Sequence, residues 1–280
     1  MTSAPFFTIM TVALLPVLDA VAQDVNLGSA NNFAVLAGST ITSTGNTVIS
    51  GGDVGVAPGT AITGFPPAAI TPPYTTQSAT AAALQAQTDL TTAFATAAGL
   101  APTQNLTGQN LGGLTLTPGV YSFSSSAFLT GTLTLNDLGN PDAIFVFQIG
   151  STLVTASDSS VVTINSVATS GISAFWQVGS SATLGTGTAF EGNILADTSI
   201  TLDTGASDLD GRLLAINGAV TLDDNDITAP PAEVIGAGGG GNVPDTGHTI
   251  VLLTSALAAL FAFSACFKAS LRGKHPIAVL

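Results

Sequence analysis

The residues best suited to acid–base chemistry are three carboxylates close in sequence, Glu191, Asp208 and Asp210, followed at once by Arg212. Paired carboxylates are the machinery of glycoside hydrolysis, and some β-solenoids cleave polysaccharides with such a pair. Those sites usually also hold acidic sugars through cations. Here Arg212 stands alone, and its simpler role is to pair with a neighbouring acid. A second cluster, Asp223-Asp224-Asn225-Asp226, could offer oxygen ligands to Ca²⁺, but it lacks the spacing of a calcium loop and falls where a turn is expected. Cys266, His248 and His275 all fall at or beyond a C-terminal apolar segment, so the body has no thiol nucleophile, imidazole base, lysine or Cys/His zinc set. No catalytic residue, metal site or cofactor is therefore expected. Asn105-Leu106-Thr107 is a glycosylation sequon, meaningful only in a eukaryote.

Charge narrows the partners. The chain has 17 acidic and 4 basic residues, and Lys268, Arg272 and Lys274 lie at the far C-terminus. An acidic body with one cation cannot release counterions from a phosphate backbone, which excludes nucleic acid. Charged residues make up only 8 % of the chain and hydrophobic ones 46 %, enough for a folded protein with a large core. With one cysteine no disulfide can form within the chain, so packing and backbone ladders must supply the stability.

What remains is a surface, and six stretches with a two-residue period point to it. They are Ser39-Thr40-Ile41-Thr42, Gly131-Thr132-Leu133-Thr134-Leu135, Ser151-Thr152-Leu153-Val154, Ser181-Ala182-Thr183-Leu184, Ser199-Ile200-Thr201-Leu202 and Ala219-Val220-Thr221-Leu222. Side chains alternate faces along a strand, so Ile41, Leu133, Leu153, Ala182, Ile200 and Val220 point one way and small hydroxyl residues the other. Aligned on that alternation, Thr40, Thr132, Thr152, Ser181, Ser199 and Ala219 form one outward column. Thr42, Thr134, Val154, Thr183, Thr201 and Thr221 form a second beside it.

Longer repeats say how these strands stack. Gly192-Asn193-Ile194-Leu195-Ala196 returns as Gly211-Arg212-Leu213-Leu214-Ala215, and Phe147-Gln148-Ile149-Gly150-Ser151 as Trp176-Gln177-Val178-Gly179-Ser180. A repeat of roughly 20 residues with one hydrophobic column per strand is the mark of a β-solenoid; a sandwich of alternating strands is the competing architecture. Residues 75–98 lack Gly and Pro, and Ala79, Ala82, Ala83, Ala86, Leu90, Ala93, Phe94 and Ala97 follow helical spacing, which predicts one amphipathic helix ending at Gly99. Pro66-Pro67 and Pro72-Pro73 bracket a break before it.

The ends read as export signals. Residues 1–22 form an apolar leader closing on Ala20-Val21-Ala22, although no basic residue precedes its apolar run. The body is placed at 23–231 and a Gly-rich linker at 232–242. Then come Val243-Pro244-Asp245-Thr246-Gly247, an 18-residue apolar run at 250–267 and the basic cluster, within a tail at 243–280. That order resembles Gram-negative exosortase-type sorting signals; an ordinary membrane anchor has the same outline. A protein displayed on the cell envelope, or released from it, is expected.

Eight ordered blocks resemble the microbial ice-binding (antifreeze) family. They are residues 27–37, 52–56, the Ala-rich helix, Leu116-Thr117-Pro118-Gly119-Val120-Tyr121, Phe145-Val146-Phe147-Gln148-Ile149, Phe175-Trp176-Gln177-Val178, 190–196 and 211–215. The resemblance implies an irregular right-handed β-solenoid of triangular section with the helix packed alongside, and N- and C-terminal coils stacked out of sequence order. It also implies an ice crystal surface as partner and a non-enzymatic, monomeric protein. The alternative is a surface adhesin or structural solenoid that keeps the fold without ice affinity.

Overall fold

The period of two becomes burial. Ile41, Leu133, Leu153, Ala182, Ile200 and Val220 are each at most 1 % exposed, so every inward position read from the alternation lies in the core. The structure, a computed structural model, describes residues 25–167 and 173–230. The expected leader at 1–22, the expected linker at 232–242 and the 243–280 segment lie outside the described residues.

Three parallel sheets of nine, seven and eight strands surround this core, and successive strands enter them in rotation. Thus Asn193–Ala196, Ile200–Leu202 and Ser207–Leu209 make one coil. Leu213–Ala215, Val220–Asp223 and Asp226–Thr228 make the next, each pairing with its predecessor. The sequence repeats are register partners: Ile194 faces Leu213, Ile200 faces Val220 and Phe147 faces Trp176. The last pair lies in an aromatic ladder inside the solenoid, with Phe147 stacked at 3.8 Å on Trp176 and at 5.4 Å on Tyr121. Parallel pairing throughout rules out the sandwich.

The coils do stack out of sequence order. Strand Phe33–Ala37 inserts between Leu213–Ala215 and Asp53–Val56, so the N-terminal coils continue the stack beyond the C-terminal one. The chain must then return to the opposite end, because Thr76–Ser78 and Gln104–Asn105 are the two edge strands of the nine-stranded sheet. Eight strand spacings of about 4.8 Å make roughly 38 Å. The 19-residue helix Ala81–Gly99 covers about 28 Å of that path.

The helix begins six residues later than the spacing predicts. Thr76–Ser78 is instead a strand paired with Asp53–Val56, and Thr80 caps the helix by accepting the Ala83 N–H at 3.2 Å. Ala79, expected on the apolar face, sits outside the helix at φ +47, and Ala82 is exposed. The proline-bracketed break is part of the last coil, with strands Ala61–Thr63 and Ala69–Ile70. Ala83, Ala86, Leu90, Ala93 and Ala97 are buried against Leu36, Val120, Val146, Phe175, Leu195 and Leu214, with Phe94 partly buried beside them. The nine-stranded sheet is thereby covered on its outer face. Gln148 of that sheet closes the helix, donating Nε2 to the carbonyls of Ala97 and Leu100, both at 2.8 Å.

Candidate functional site

With one sheet covered by the helix, two faces remain, and their outward residues differ. The seven-stranded sheet places Phe128, Val154, Thr183, Thr201, Thr221, Thr42 and Thr63 in one register column. Five consecutive rungs are threonine, and four spacings of about 4.8 Å give a row of roughly 19 Å. The inward neighbours of this column, including Leu153, Ala182, Ile200, Val220 and Ile41, are fully buried, so the strands cannot rotate to hide the threonines.

Hydrogen bonding separates this column from the one beside it. Among the described residues the hydroxyls of Thr42, Thr183, Thr201 and Thr221 have no protein partner, while Thr63 Oγ1 lies 3.5 Å from the carbonyl of Ile41. In the flanking column, Thr152 Oγ1 donates to Ser126 Oγ at 2.8 Å. Ser181 Oγ accepts the Ser199 N–H at 3.3 Å, and Ser199 Oγ accepts the Ala219 N–H at 3.2 Å. Thr40 pairs in register with Ala61 at the end of that column. The flanking hydroxyls of Thr152, Ser181 and Ser199 therefore tie rung to rung, whereas those of Thr42, Thr183, Thr201 and Thr221 keep their hydrogen-bonding capacity for water.

The structure brings nine of the eleven expected residues together: Thr40, Thr42, Thr152, Ser181, Thr183, Ser199, Thr201, Ala219 and Thr221. Thr132 and Thr134 are elsewhere. Their strand, Thr132–Asn136, belongs to the eight-stranded sheet, where Thr132 faces Ser160 and Thr134 lies between Thr115 and Val162. In that coil the seven-stranded sheet is entered by Ala127–Leu129, which turns Phe128 outward, 52 % exposed. Two members of the column escape the sequence reading. Phe128 lacks the Thr pattern altogether, but Thr63 had a signal: Gly59-Thr60-Ala61-Ile62-Thr63 matches Gly38-Ser39-Thr40-Ile41-Thr42. The outer positions of the eight-stranded sheet are mixed, with Ala189, Ser207, Asp226 and Val48 in register, and offer no uniform array.

A match to the family described as Ice-binding-like covers residues 35–228. The chain belongs to that family. It is 53 % identical over 248 residues to an ice-binding protein of Nostoc sp. (strain HG1), covering 86 % of this chain and 87 % of the relative. An ice-binding protein from an Antarctic biological consortium has a crystal structure 44 % identical, with a TM-score of 0.69 over 82 % of this chain and 96 % of that one. That of the Antarctic ascomycete Antarctomyces psychrotrophicus is 39 % identical, with a TM-score of 0.67 over 73 % and 98 %. All three are named as ice-binding proteins and not as enzymes. The mainly β solenoid with a single long helix is thus the architecture of the ice-binding family.

The candidate carboxylates differ in their access to solvent in this ice-binding chain: Asp208 is buried, and Glu191 and Asp210 are half-buried. Asp208 is wholly buried against Gly211 and neither oxygen has a hydrogen-bond partner, so no substrate reaches it. Burial pushes its carboxyl well above the usual range, opposed by Arg212 and reinforced by Glu191 and Asp210. Glu191 is raised as well, mainly by burial, while the Thr163 hydroxyl donating at 2.8 Å works against the rise. Arg212 feels the charges of Asp208 and Asp210, in keeping with a pairing role, but its hydrogen bonds go to other groups. It donates to Asn31 O at 3.2 Å, Asn193 Oδ1 at 3.2 Å and Pro230 O at 2.7 Å, and burial lowers its pKa to about 10. The 223–226 cluster builds a turn: Asn225 Oδ1 accepts from Asp223 N and Asn225 Nδ2 donates to the carbonyls of Asp203 and Ala206. Among the described residues no cluster of three or more His, Cys, Asp or Glu side chains is placed to hold a metal ion.

Proposed function

We propose that this protein adsorbs to ice through the threonine face of its seven-stranded sheet and thereby limits ice growth or recrystallisation, without catalysing a reaction. The observation that carries the site is the uninterrupted register Thr183, Thr201, Thr221, Thr42 and Thr63, four of whose hydroxyls are left unbonded by the protein. A strand spacing of about 4.8 Å is close to the repeat of the ice lattice, so rows of hydroxyl and methyl groups can hold surface water in ice-like positions. The β-branch restricts χ1, and each rung gives up little side-chain entropy on contact. Membership of the ice-binding family supports the same reading.

Export, display on the cell envelope through the 243–280 segment and action as a monomer complete the proposal, and they rest on the sequence pattern alone. Among the described residues no helix is long and apolar enough to cross a membrane, and the 250–267 run lies outside them. The test is ice-affinity partitioning of the full-length chain, wild type beside Thr201→Lys. Enrichment of wild type and not of the variant in the ice fraction is expected. Exclusion of folded wild type from ice overturns the proposal in favour of an adhesin or structural solenoid.

A further inference from the structure

The threonine column has a blunt end. Beyond Thr183 it continues through Val154 to Phe128, and the bridge from Phe128 to Asn110 brings the sheet to its edge. Ala127 and Leu129 are fully buried, so the Phe128 side chain is held outward on the face that carries the threonines, and it is 52 % exposed. Val154 differs from threonine by a methyl in place of a hydroxyl and keeps the profile of the row. Phe128 does not: its benzyl group stands where every other rung ends at a γ atom.

A rigid lattice meets the tallest feature first. We infer that Phe128 sets the limit of the ice-contacting footprint, confining it to the rungs from Val154 to Thr63, and that its bulk rather than a missing hydroxyl is what limits contact. This rests on the proposed site and deepens it. An exposed ring of this kind also cannot be credited to core stability, because the inward side of its strand is supplied by Ala127 and Leu129.

The experiment compares full-length wild type, Thr201→Lys, Phe128→Thr, Phe128→Ala and Val154→Thr by melting temperature, thermal hysteresis and the concentration that half-inhibits recrystallisation. Phe128→Thr is expected to lower that concentration by about twofold or more, equivalent to about 0.4 kcal/mol or more at tenfold per 1.4 kcal/mol. Phe128→Ala should give a gain of the same sign, and Val154→Thr a smaller one than Phe128→Thr. If Phe128→Thr fails to fold, Phe128→Ala decides. Loss of activity in Thr201→Lys with no gain from either Phe128 variant overturns the inference and leaves the site intact. A larger gain from Val154→Thr than from Phe128→Thr overturns it too, since hydroxyl count would then be limiting. Full activity in Thr201→Lys removes the site and the inference with it.

Discussion

Ser29 donates both its backbone N–H, at 2.8 Å, and its hydroxyl, at 2.5 Å, to one oxygen of Asp89, fastening the short helical turn Gly28–Asn32 to the middle of the long helix. The two bonds hold the Asp89 carboxyl below its ordinary value, the hydroxyl contributing most and the amide next. Gly28 is part of the same device, since its φ is +54 and a Cβ there would come within 2.7 Å of Asp89 Oδ2.

A depressed carboxylate pKa contributes stability that is complete above the ordinary value of 3.8 and is lost as pH falls through the folded one. Asp89→Ala should therefore lower the melting temperature at neutral pH by about 2–4 °C, the effect of roughly 1 kcal/mol in a domain of this size. The deficit should shrink on acidification below that value. Melting curves of both proteins at neutral pH and in acid check it; a deficit that does not change with pH would assign the effect to lost packing.

Leu90 is the fully buried residue at the centre of the contact between helix and sheet, while Leu84 on the same helix is 48 % exposed. Leu90→Ala should cost about 2–5 kcal/mol, combining lost transfer energy with a cavity, and Leu84→Ala no more than about 0.5 kcal/mol. Denaturant midpoints measure both. Equal effects would mean that the helix does not pack through the Leu90 face.

Asp208 carries the opposite pH signature from Asp89. Its carboxyl is raised by burial, with Arg212 facing it as the opposing charge and Glu191 and Asp210 as like charges. Between the unfolded value and the raised folded one, the folded state holds a proton that the unfolded state lacks, so stability falls as pH rises through that window. Asp208→Asn, fixed in the neutral form, should gain melting temperature relative to wild type as pH is raised from mildly acidic to neutral. A difference that stays constant across that range would show that Asp208 is ionised throughout.

Which residues point inward was legible, because burying one side of a strand forces a period of two and all six inward residues obey it. Which sheet a strand joins was not. All three sheets share that period, and the assignment depends on where the corners fall. Gly131-Thr132-Leu133-Thr134 has the same alternation as Ser39-Thr40-Ile41-Thr42, yet the preceding Ala127–Leu129 takes the place in the threonine sheet and pushes Thr132–Asn136 one face onward. The helix start was hidden for a related reason. Residues 75–98 carry no Gly or Pro to mark a boundary, but Thr76 and Ser78 are weak helix formers, and the edge of Asp53–Val56 offers residues 76–78 a backbone ladder that they take as a strand.

That displacement of Thr134 supplies the sharpest test of the face. Thr201 and Thr134 sit in strands of similar sequence with buried neighbours on both sides, Ile200 and Leu202 in one case and Leu133 and Leu135 in the other, but they point from different sheets. Lysine at either site changes only the solvent side of a strand and should shift stability by no more than about 0.5 kcal/mol. Thr201→Lys places a mobile charge within the hydroxyl row, and Thr183→Tyr a bulky ring one rung away; both should abolish most inhibition of ice recrystallisation with unchanged circular dichroism and melting temperature. Thr134→Lys should keep wild-type inhibition. Loss of activity in Thr134→Lys with full activity in Thr201→Lys would move the ice-binding face to the eight-stranded sheet. Loss in both would extend the contact around the corner between the two sheets.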